Sequence, residues 1–170
     1  MYREFFGLKE KPFNITSDPN FLFLSRVHKE ALSHLLYGIN ERKGFLEITG
    51  EIGAGKTTLC RALLSRLNKK TKSAFIFNST LPELQLLQAI LEDYGIIVTK
   101  RNKVSLLKQL NNFLIEEITC GNNVVLIIDE AQNLKPSILE AIRMLSNVET
   151  DKEKLFQIVL VGQPELKNKL

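Results

Sequence analysis

Short runs of consecutive apolar residues alternate along the chain with stretches in which apolar residues recur every three or four positions. The runs are rich in β-branched and aromatic residues, and they predict strands over 45–49, 74–77, 124–128 and 156–161. The stretches between them predict amphipathic helices, the first with one apolar face made of Leu59, Leu63 and Leu67. Strands that alternate with helices favour a parallel sheet with helices on both faces, joined by right-handed crossovers.

The crossover between 74–77 and 124–128 is long enough for two helices. Thr80 and Glu83 have the spacing of a capping box that opens the first helix, and Gly95 is placed to end it. The second helix is predicted to stop at Gly121. Each helix has one apolar stripe: Leu84, Leu87, Leu91 and Tyr94 in the first, and Leu107, Leu110, Leu114 and Ile118 in the second.

Two further helices are predicted outside this crossover. Pro136 suits a first helical turn, residues 25–42 have an amphipathic pattern, and Pro164 predicts a turn or a helix start. Residues 1–24 form an aromatic-rich arm without clear periodicity. The apolar faces are Ile138, Ile142 and Leu145 in the later helix, and Ala31, Leu32, Leu35, Leu36 and Ile39 in the earlier one.

Composition narrows the class of protein. The 170 residues are 44% hydrophobic and 25% charged, which is ordinary for one globular domain and excludes disordered, collagen-like and disulfide-framework proteins. Cys60 and Cys120 are too few for a zinc site, and they indicate a reducing, cytosolic compartment. No apolar run approaches the ~18 residues of a transmembrane helix. Residues 1–11 do not have the pattern of a signal peptide.

The net charge of +4 is concentrated in two stretches without acidic residues, 52–82 and 94–115. One interpretation is a surface for nucleic acid or anionic lipid. The other, favoured because the excess is small, places basic residues at helix C-termini and one lysine at a phosphate site. The basic residues are Lys56, Arg61, Arg66, Lys69, Lys70 and Lys72 in the first stretch, and Lys100, Arg101, Lys103 and Lys108 in the second.

Residues 50–57 match the pattern G-x-x-x-x-G-K-[ST] between a predicted strand and a predicted helix. Glycines let successive backbone N–H groups curl around phosphate oxygens, and a helix N-terminus adds partial positive charge. Lys56 is predicted to reach the β- and γ-phosphates, and the Thr57 hydroxyl to bind Mg²⁺. Thr58 stands where a dinucleotide fingerprint needs its third glycine. The predicted nucleotide-binding residues are Gly50, Glu51, Ile52, Gly53, Ala54, Gly55, Lys56, Thr57 and Thr58.

Polar side chains also follow the two later strands. If 124–128 is a parallel neighbour of 45–49, Asp129 lies near the Mg²⁺ and Glu130 polarises the attacking water. Gln163, after 156–161, is either a contact to the γ-phosphate or attacking water, or a polar loop residue. The predicted catalytic residues are Lys56, Asp129, Glu130 and Gln163, and the predicted metal ligands are Thr57 and Asp129.

The sequence gives less support to a metal site at the histidines and to recognition of guanine. His28 and His34 have no cysteine or second acidic cluster at metal spacing, so they are interpreted as surface or partly buried helix residues. Guanine-specific proteins usually carry an Asn-Lys-x-Asp element late in the sheet. Residues 68–71 read N-K-K-T, which lacks the aspartate and lies too early. The predicted nucleotide is therefore ATP.

Taken together, these residues resemble the general secretion pathway protein A family of ATPases. The resemblance spans essentially the whole chain, and its most specific part is the opening arm, which generic ATPases lack. The matching positions are Met1-Tyr2, 5–8, Pro12-Phe13, Asp18-Pro19, Phe21-Leu22, 24–25, His28, 30–32, 36–39, 50–57, 128–134 and 161–166.

The resemblance implies an AAA+ fold with strand order 5-1-4-3-2, Walker A over 50–57, Walker B ending at Asp129 and Glu130, and sensor 1 near Gln163. Such proteins work with an inner-membrane partner of the ExeB/GspB type in assembling the secretin of type II secretion. A homo-oligomer of the full-length protein at the cytoplasmic face of the inner membrane is implied as well. The alternative is a DNA-dependent AAA+ ATPase of the transposition-regulator type, which would use the basic stretches.

We therefore predict an α/β, three-layer P-loop NTPase core of the AAA+ type, with ATP and Mg²⁺ as cofactors. Residues 1–44 are assigned to the arm and first helix of the ATPase domain, and 45–170 to the nucleotide-binding core. The resemblance places the fifth strand, the arginine finger and the helical lid after Leu170. The expectation is an incomplete AAA+ domain that binds ATP and hydrolyses it slowly.

Overall fold

A computed structural model describes residues 2–7, 24–77, 79–146 and 154–169. Four strands form one sheet in the order β1-β4-β3-β2, and every neighbouring pair is parallel. This is the 1-4-3-2 part of the strand order that the resemblance implied. The strands are β1 (Phe45–Thr49), β2 (Thr71–Ile76), β3 (Asn123–Ile128) and β4 (Phe156–Gly162).

Helices fill the connections between the strands. They are α1 (Tyr2–Phe5), α2 (Arg26–Asn40), α3 (Lys56–Leu64), α4 (Glu83–Asp93), α5 (Lys103–Thr119) and α6 (Pro136–Ser146). Two short 3-10 helices, Ala131–Asn133 and Pro164–Asn168, follow β3 and β4. Most of the opening arm, residues 8–23, lies outside the described residues, so the part of the resemblance that falls there is not described.

The sheet separates two apolar layers because successive strand residues point to opposite faces. Helices cover both faces of the sheet, so β3 and β4 are buried on both sides, as their continuous apolar sequence predicted. On one face, α2 and α3 pack against Val125, Ile127, Val159 and Val161. On the other face, α4, α5 and α6 pack against Leu126, Ile128, Ile158 and Leu160.

One polar side chain, Gln157, is fully buried in the central strand β4. Its Oε1 accepts a hydrogen bond from the Gly44 N–H at 2.7 Å, and its Nε2 donates one to the Lys154 carbonyl at 2.8 Å. A buried amide is tolerated when both ends are bonded. Gln157 thereby ties the start of β4 to the turn that precedes β1.

The predicted start of α4 is wrong. The capping box would have opened the helix directly after Thr80, but the helix begins at Glu83, with Pro82 at the N-cap position and no side-chain cap. The reason is local: helical conformation is disfavoured for a residue that precedes proline, which keeps Leu81 outside the helix. The buried stripe shifts with it: Leu84 is 38% exposed, and Leu86, Leu87, Ile90 and Leu91 are buried.

The other predicted ends of helices agree with the structure, apart from that of α3. Gly95 and Gly121 follow α4 and α5 with φ of +78° and +75°, the left-handed conformation in which glycine ends a helix. Helix α6 begins at Pro136 as expected. Helix α3 ends at Leu64, so the predicted face residue Leu67 lies beyond it.

Among the strands that the structure describes, β2 is outermost in the sheet and pairs with β3 alone. The N–H of Phe75, on its outer side, donates to the Asp93 carboxylate at 2.6 Å. Asp93 is the last residue of α4, so the helix that follows β2 folds back and occupies a donor on the edge of that strand.

Candidate nucleotide-binding site

The loop between β1 and α3 has the backbone shape of a phosphate cradle. Gly53 and Gly55 have φ of +79° and +80°, which other residues adopt only with strain. Gly55 is the N-cap residue of α3, so the first free N–H groups of that helix face the loop. The glycine spacing in the sequence therefore corresponds to a turn with donors directed inward.

Lys56 is buried at the start of α3, against the loop. Its ammonium group donates to the carbonyls of Gly50 at 2.8 Å and Glu51 at 2.9 Å. A buried lysine needs such acceptors because an unpaired charge away from water is costly. The loop carbonyls thus hold the positive charge where the motif predicts phosphate.

Thr57 and Asp129 meet across the carboxyl end of the sheet. The Thr57 hydroxyl donates to Asp129 Oδ2 at 2.5 Å, although the two residues are 72 positions apart. Asp129 is fully buried, and its Oδ1 accepts the Glu130 N–H at 2.9 Å. The structure therefore brings both predicted metal ligands together.

The strand adjacency that was expected for Asp129 is wrong. Strand β4 lies between β1 and β3, so the strand before Asp129 is not a neighbour of the strand before the loop. Thr57 still reaches Asp129 because it belongs to α3, which packs on the sheet face over β3 and β4.

Glu130 lies in an unusual backbone conformation, with φ of +52° and ψ of +36°. A residue other than glycine adopts this conformation only at a cost, and such residues cluster at active sites and switch segments. The buried Ser79 hydroxyl donates to the Glu130 carbonyl at 2.7 Å and helps to fix it. The Glu130 carboxylate accepts a hydrogen bond from Gln132 Nε2 at 2.6 Å.

Gln163 lies directly after β4, beside the loop. The preceding carbonyl, that of Gly162, accepts the Gly50 N–H at 3.1 Å, and the Gln163 N–H donates to Gln132 Oε1 at 3.0 Å. The structure thus places Gln163 among the loop, β4 and the Glu130 segment through its backbone. The role of its side chain stays a prediction.

Two residues at the site were not found from the sequence. His28 is half-buried on α2, and its Nε2 donates to the Ala54 carbonyl of the loop at 2.9 Å, while Nδ1 lies 2.7 Å from the Ser25 hydroxyl. It was interpreted only as a surface or partly buried helix residue, and its place in the opening motif was the one signal. The other residue is Gln132, two positions after Glu130.

Cys60, on α3, is a neutral neighbour of this site. Burial, with a smaller effect from the charge of Asp129, raises the pKa of its thiol to about 12. A thiol with such a pKa stays protonated near neutral pH and is a poor nucleophile.

Lys70 of the first basic stretch and Lys103 of the second lie at opposite ends of the sheet, whereas Lys56, also in the first stretch, lies at the phosphate loop. The backbone carbonyl of Lys70 accepts a hydrogen bond from the Asn123 N–H at 2.8 Å, so Lys70 lies where β3 begins. Lys103 pairs with Glu83 at 2.7 Å, beyond the end of β2. Arg61 is in the last turn of α3 as the favoured interpretation expects, but Lys103 opens α5, so for that residue the helix C-terminus interpretation is wrong.

Two kinds of feature are absent from the described residues. None of the helices there combines the length and the apolarity that a membrane crossing requires. Within the same residues there is no group of three or more His, Cys, Asp or Glu side chains placed to hold a metal ion. Thr57 and Asp129 remain as the hydroxyl and carboxylate oxygens near the loop, a donor set that suits Mg²⁺ when phosphates supply the remaining ligands.

Known proteins similar to this chain agree with these features. Residues 39–170 match a family model described as an AAA domain. The chain is 45% identical to "General secretion pathway protein A" of Aeromonas hydrophila over 171 aligned positions, covering all of this chain and 31% of that protein. The chain thus spans about a third of the length of this curated relative.

Solved structures show the same fold at low sequence identity. The Aeropyrum pernix ORC2 protein in its ADPNP–ADP complexes is 19% identical with a TM-score of 0.65, covering 91% of this chain and 45% of that one. CDC6P of Pyrobaculum aerophilum is 18% identical with a TM-score of 0.63, covering 92% and 42%. The predicted α/β P-loop NTPase fold of the AAA+ type is confirmed, and the chain belongs to the AAA ATPase family, with similarity to general secretion pathway protein A.

Proposed function

We propose that this chain binds Mg-ATP at residues 50–58, which form the loop after β1 and the start of α3, and hydrolyses it. The observation that carries the proposal is the Thr57–Asp129 hydrogen bond of 2.5 Å, with the ammonium group of Lys56 held inside the adjoining loop. A hydroxyl, a buried carboxylate and a lysine converge on a helix N-terminus, which is the set of groups that phosphoryl transfer requires.

The loop itself supplies most of the binding. Its backbone N–H groups and the N-terminus of α3 face the phosphates, and Lys56 exchanges its bonds to two loop carbonyls for bonds to the β- and γ-phosphates. This exchange leaves the ammonium group paired throughout. Thr57 and Asp129 would hold Mg²⁺, which would neutralise phosphate charge.

The acidic residue after Asp129 has a separate role. Glu130 is proposed to orient the attacking water and accept its proton, because a carboxylate beside the phosphate can do both. Gln163 is proposed to contact the γ-phosphate or the same water. Its position beside the loop supports this role, since its neighbour Gly162 bonds to Gly50.

ATP is the proposed nucleotide. In the N-K-K-T segment, the Asn68 side chain accepts hydrogen bonds from the Lys70 N–H and the Thr71 hydroxyl. This turn leads into β2, at the end of the sheet opposite the loop. At that end of the sheet, Asn68 does not contact the base of a nucleotide whose phosphates bind near Lys56.

For the whole protein we propose a secretion role. Similarity to general secretion pathway protein A supports an ATPase that forms homo-oligomers and works with an inner-membrane partner of the ExeB/GspB type, at the cytoplasmic face of that membrane, in secretin assembly. Lys70 and Lys103, from the two basic stretches that the transposition-regulator alternative would use, lie at opposite ends of the sheet and form no single basic cluster, so that alternative is not proposed.

Calorimetric titration with Mg-ATP tests the binding site. Lys56→Ala removes the full positive charge from the cradle, and a charged hydrogen bond is worth about 1.5–3 kcal/mol, so affinity should fall about tenfold or more. Lys108→Ala, an exposed lysine on α5, is the matched control and should bind as the parent does. Equal affinity in Lys56→Ala and the parent would refute the assignment of the loop.

Hydrolysis is tested separately from binding. Glu130→Gln keeps the shape of the side chain and leaves Thr57 and Asp129 untouched, so the affinity for Mg-ATP should stay within about twofold of the parent. Phosphate release should fall about a hundredfold, which is within the usual contribution of a general base. Parental turnover in this variant would place the base elsewhere.

A further inference from the structure

We propose that Gln132 is a positioning residue for hydrolysis, because its side-chain amide ties the carboxylate of Glu130 to the end of β4. This inference rests on the proposed ATPase function and adds a residue that neither the phosphate-loop motif nor the acidic pair identifies. Four observations around one side chain carry it.

The first observation is that both ends of the amide are bonded. Nε2 donates to Glu130 Oε2 at 2.6 Å, and Oε1 accepts the Gln163 N–H at 3.0 Å. A carboxylate can only accept and a backbone N–H can only donate, so the orientation of the amide is fixed by its partners. Gln132 therefore links the segment after β3 to the segment after β4.

The second observation is the space that the amide occupies. A Cβ atom at Gly162, the last residue of β4, would lie 2.7 Å from Gln132 Oε1 and 3.3 Å from the Gln132 backbone nitrogen. Contacts below 3 Å do not occur without displacement, so the close approach depends on glycine at this position. The end of β4 is thus shaped to accept the Gln132 side chain.

The third observation is that the backbone of Gln132 is held. It lies in the short 3-10 helix Ala131–Asn133, between the fully buried Ala131 and Leu134. The Lys169 ammonium group donates to the carbonyls of Gln132 and Leu134, which fastens this turn to the segment that follows β4. The amide therefore projects from a fixed point.

The fourth observation is the conformation of its partner. Glu130 has left-handed backbone angles, and the Ser79 hydroxyl and Asp129 carboxylate hold its carbonyl and its N–H. The backbone is fixed on both sides, so the orientation of the carboxylate is set by its own bond to Gln132. A misplacement of about 1 Å at a reacting group can cost on the order of a hundredfold in rate.

Two substitutions separate the two ends of the amide. Gln132→Glu keeps an oxygen that can accept the Gln163 N–H but loses the donor to Glu130 and brings a like charge next to it. Gln132→Leu removes both functions. Gln109→Leu, the same change at a half-buried glutamine on α5, is the control. The measurements are kcat and KM for ATP, and exchange of the Gln163 amide proton followed by NMR.

We expect kcat to fall about tenfold or more in both Gln132 variants while KM stays within about twofold, because the phosphate cradle is unchanged. The Gln163 N–H should exchange about tenfold faster or more in Gln132→Leu and at the parental rate in Gln132→Glu. Gln109→Leu should match the parent in every measurement. Parental or increased kcat in Gln132→Glu would overturn the proposal.

Failure of the underlying function would look different. A parent chain that binds Mg-ATP but releases no phosphate would refute the proposed hydrolysis, and the NMR measurements would then decide the link alone. The Gln132 side-chain amide protons should shift in Glu130→Ala, and the Gln163 amide should lose protection in Gln132→Leu. If either change were absent, the proposed positioning role of Gln132 would be refuted.

Discussion

At the scale of single residues, His28 joins a helix to the phosphate loop. The Ala54 carbonyl can only accept, so Nε2 carries a proton and donates to it, and Nδ1 lies 2.7 Å from the Ser25 hydroxyl. Ser25 is also the N-cap residue of α2 and accepts the His28 N–H at 3.3 Å. One histidine thus fixes a loop carbonyl from the first turn of a helix distant in sequence.

We predict that His28→Ala weakens Mg-ATP binding about three- to tenfold. A neutral hydrogen bond contributes about 0.5–1.5 kcal/mol, and without it the loop must be ordered by the nucleotide. His34→Ala, an exposed histidine on the same helix, is the control, and both affinities are measured by calorimetry. A parental affinity in His28→Ala would mean that the loop is ordered without the contact.

These residues also show which parts of the site a sequence encodes. Lys56 and Thr57 could be predicted because the motif requires those side chains at that spacing, and Asp129 because a buried strand leads into it. His28 and Gln132 lie in stretches that match the family, but neither was predicted as a site residue. His28 bonds to the Ala54 carbonyl, and Gln132 links the Glu130 carboxylate to the Gln163 N–H. A backbone partner leaves no pattern in the sequence because every residue has a carbonyl and nearly all have an N–H, and the bond from Gln132 to Glu130 depends on the turn that follows β3.

At the scale of elements, β4 is apolar apart from one buried amide. We predict that Gln157→Leu lowers the free energy of unfolding by about 2–4 kcal/mol, because the Gly44 N–H and the Lys154 carbonyl lose their partner and each unsatisfied group costs about 1–3 kcal/mol. Urea denaturation measures the change. The same substitution at Gln109 should change stability by less than about 1 kcal/mol, and equal effects at the two positions would contradict this role of Gln157.

The elements differ in how far they could be predicted. Strands β3 and β4 were evident because burial on both faces requires an unbroken apolar run. Strand β2 begins at Thr71, earlier than its apolar run, because the polar residues Thr71, Lys72 and Ser73 pair with β3 at the outer side of the sheet. In this first half of β2, the strand is defined by its backbone hydrogen bonds to β3, so no apolar pattern in the sequence predicts it.

At the scale of the whole molecule, the site joins elements that are distant in the chain. Nucleotide contacts are proposed from the loop after β1, from α3 and from the residues after β3, so binding requires the folded sheet. We predict that Mg-ATP at a hundred times its dissociation constant raises the free energy of unfolding by about 2.7 kcal/mol. Chemical denaturation with and without nucleotide measures this. Lys56→Ala at the same concentration should gain less, and equal gains would contradict a site built around that lysine.

The bond between Asp93 and the edge of β2 has a consequence for how copies of the chain can meet. An edge strand whose N–H and C=O groups are free is a template for pairing with a strand of another molecule. At β2, an incoming carbonyl would find the Phe75 N–H already bonded to the Asp93 carboxylate. A single carboxylate therefore makes this position of the β2 edge unfavourable for strand addition by another copy of the chain.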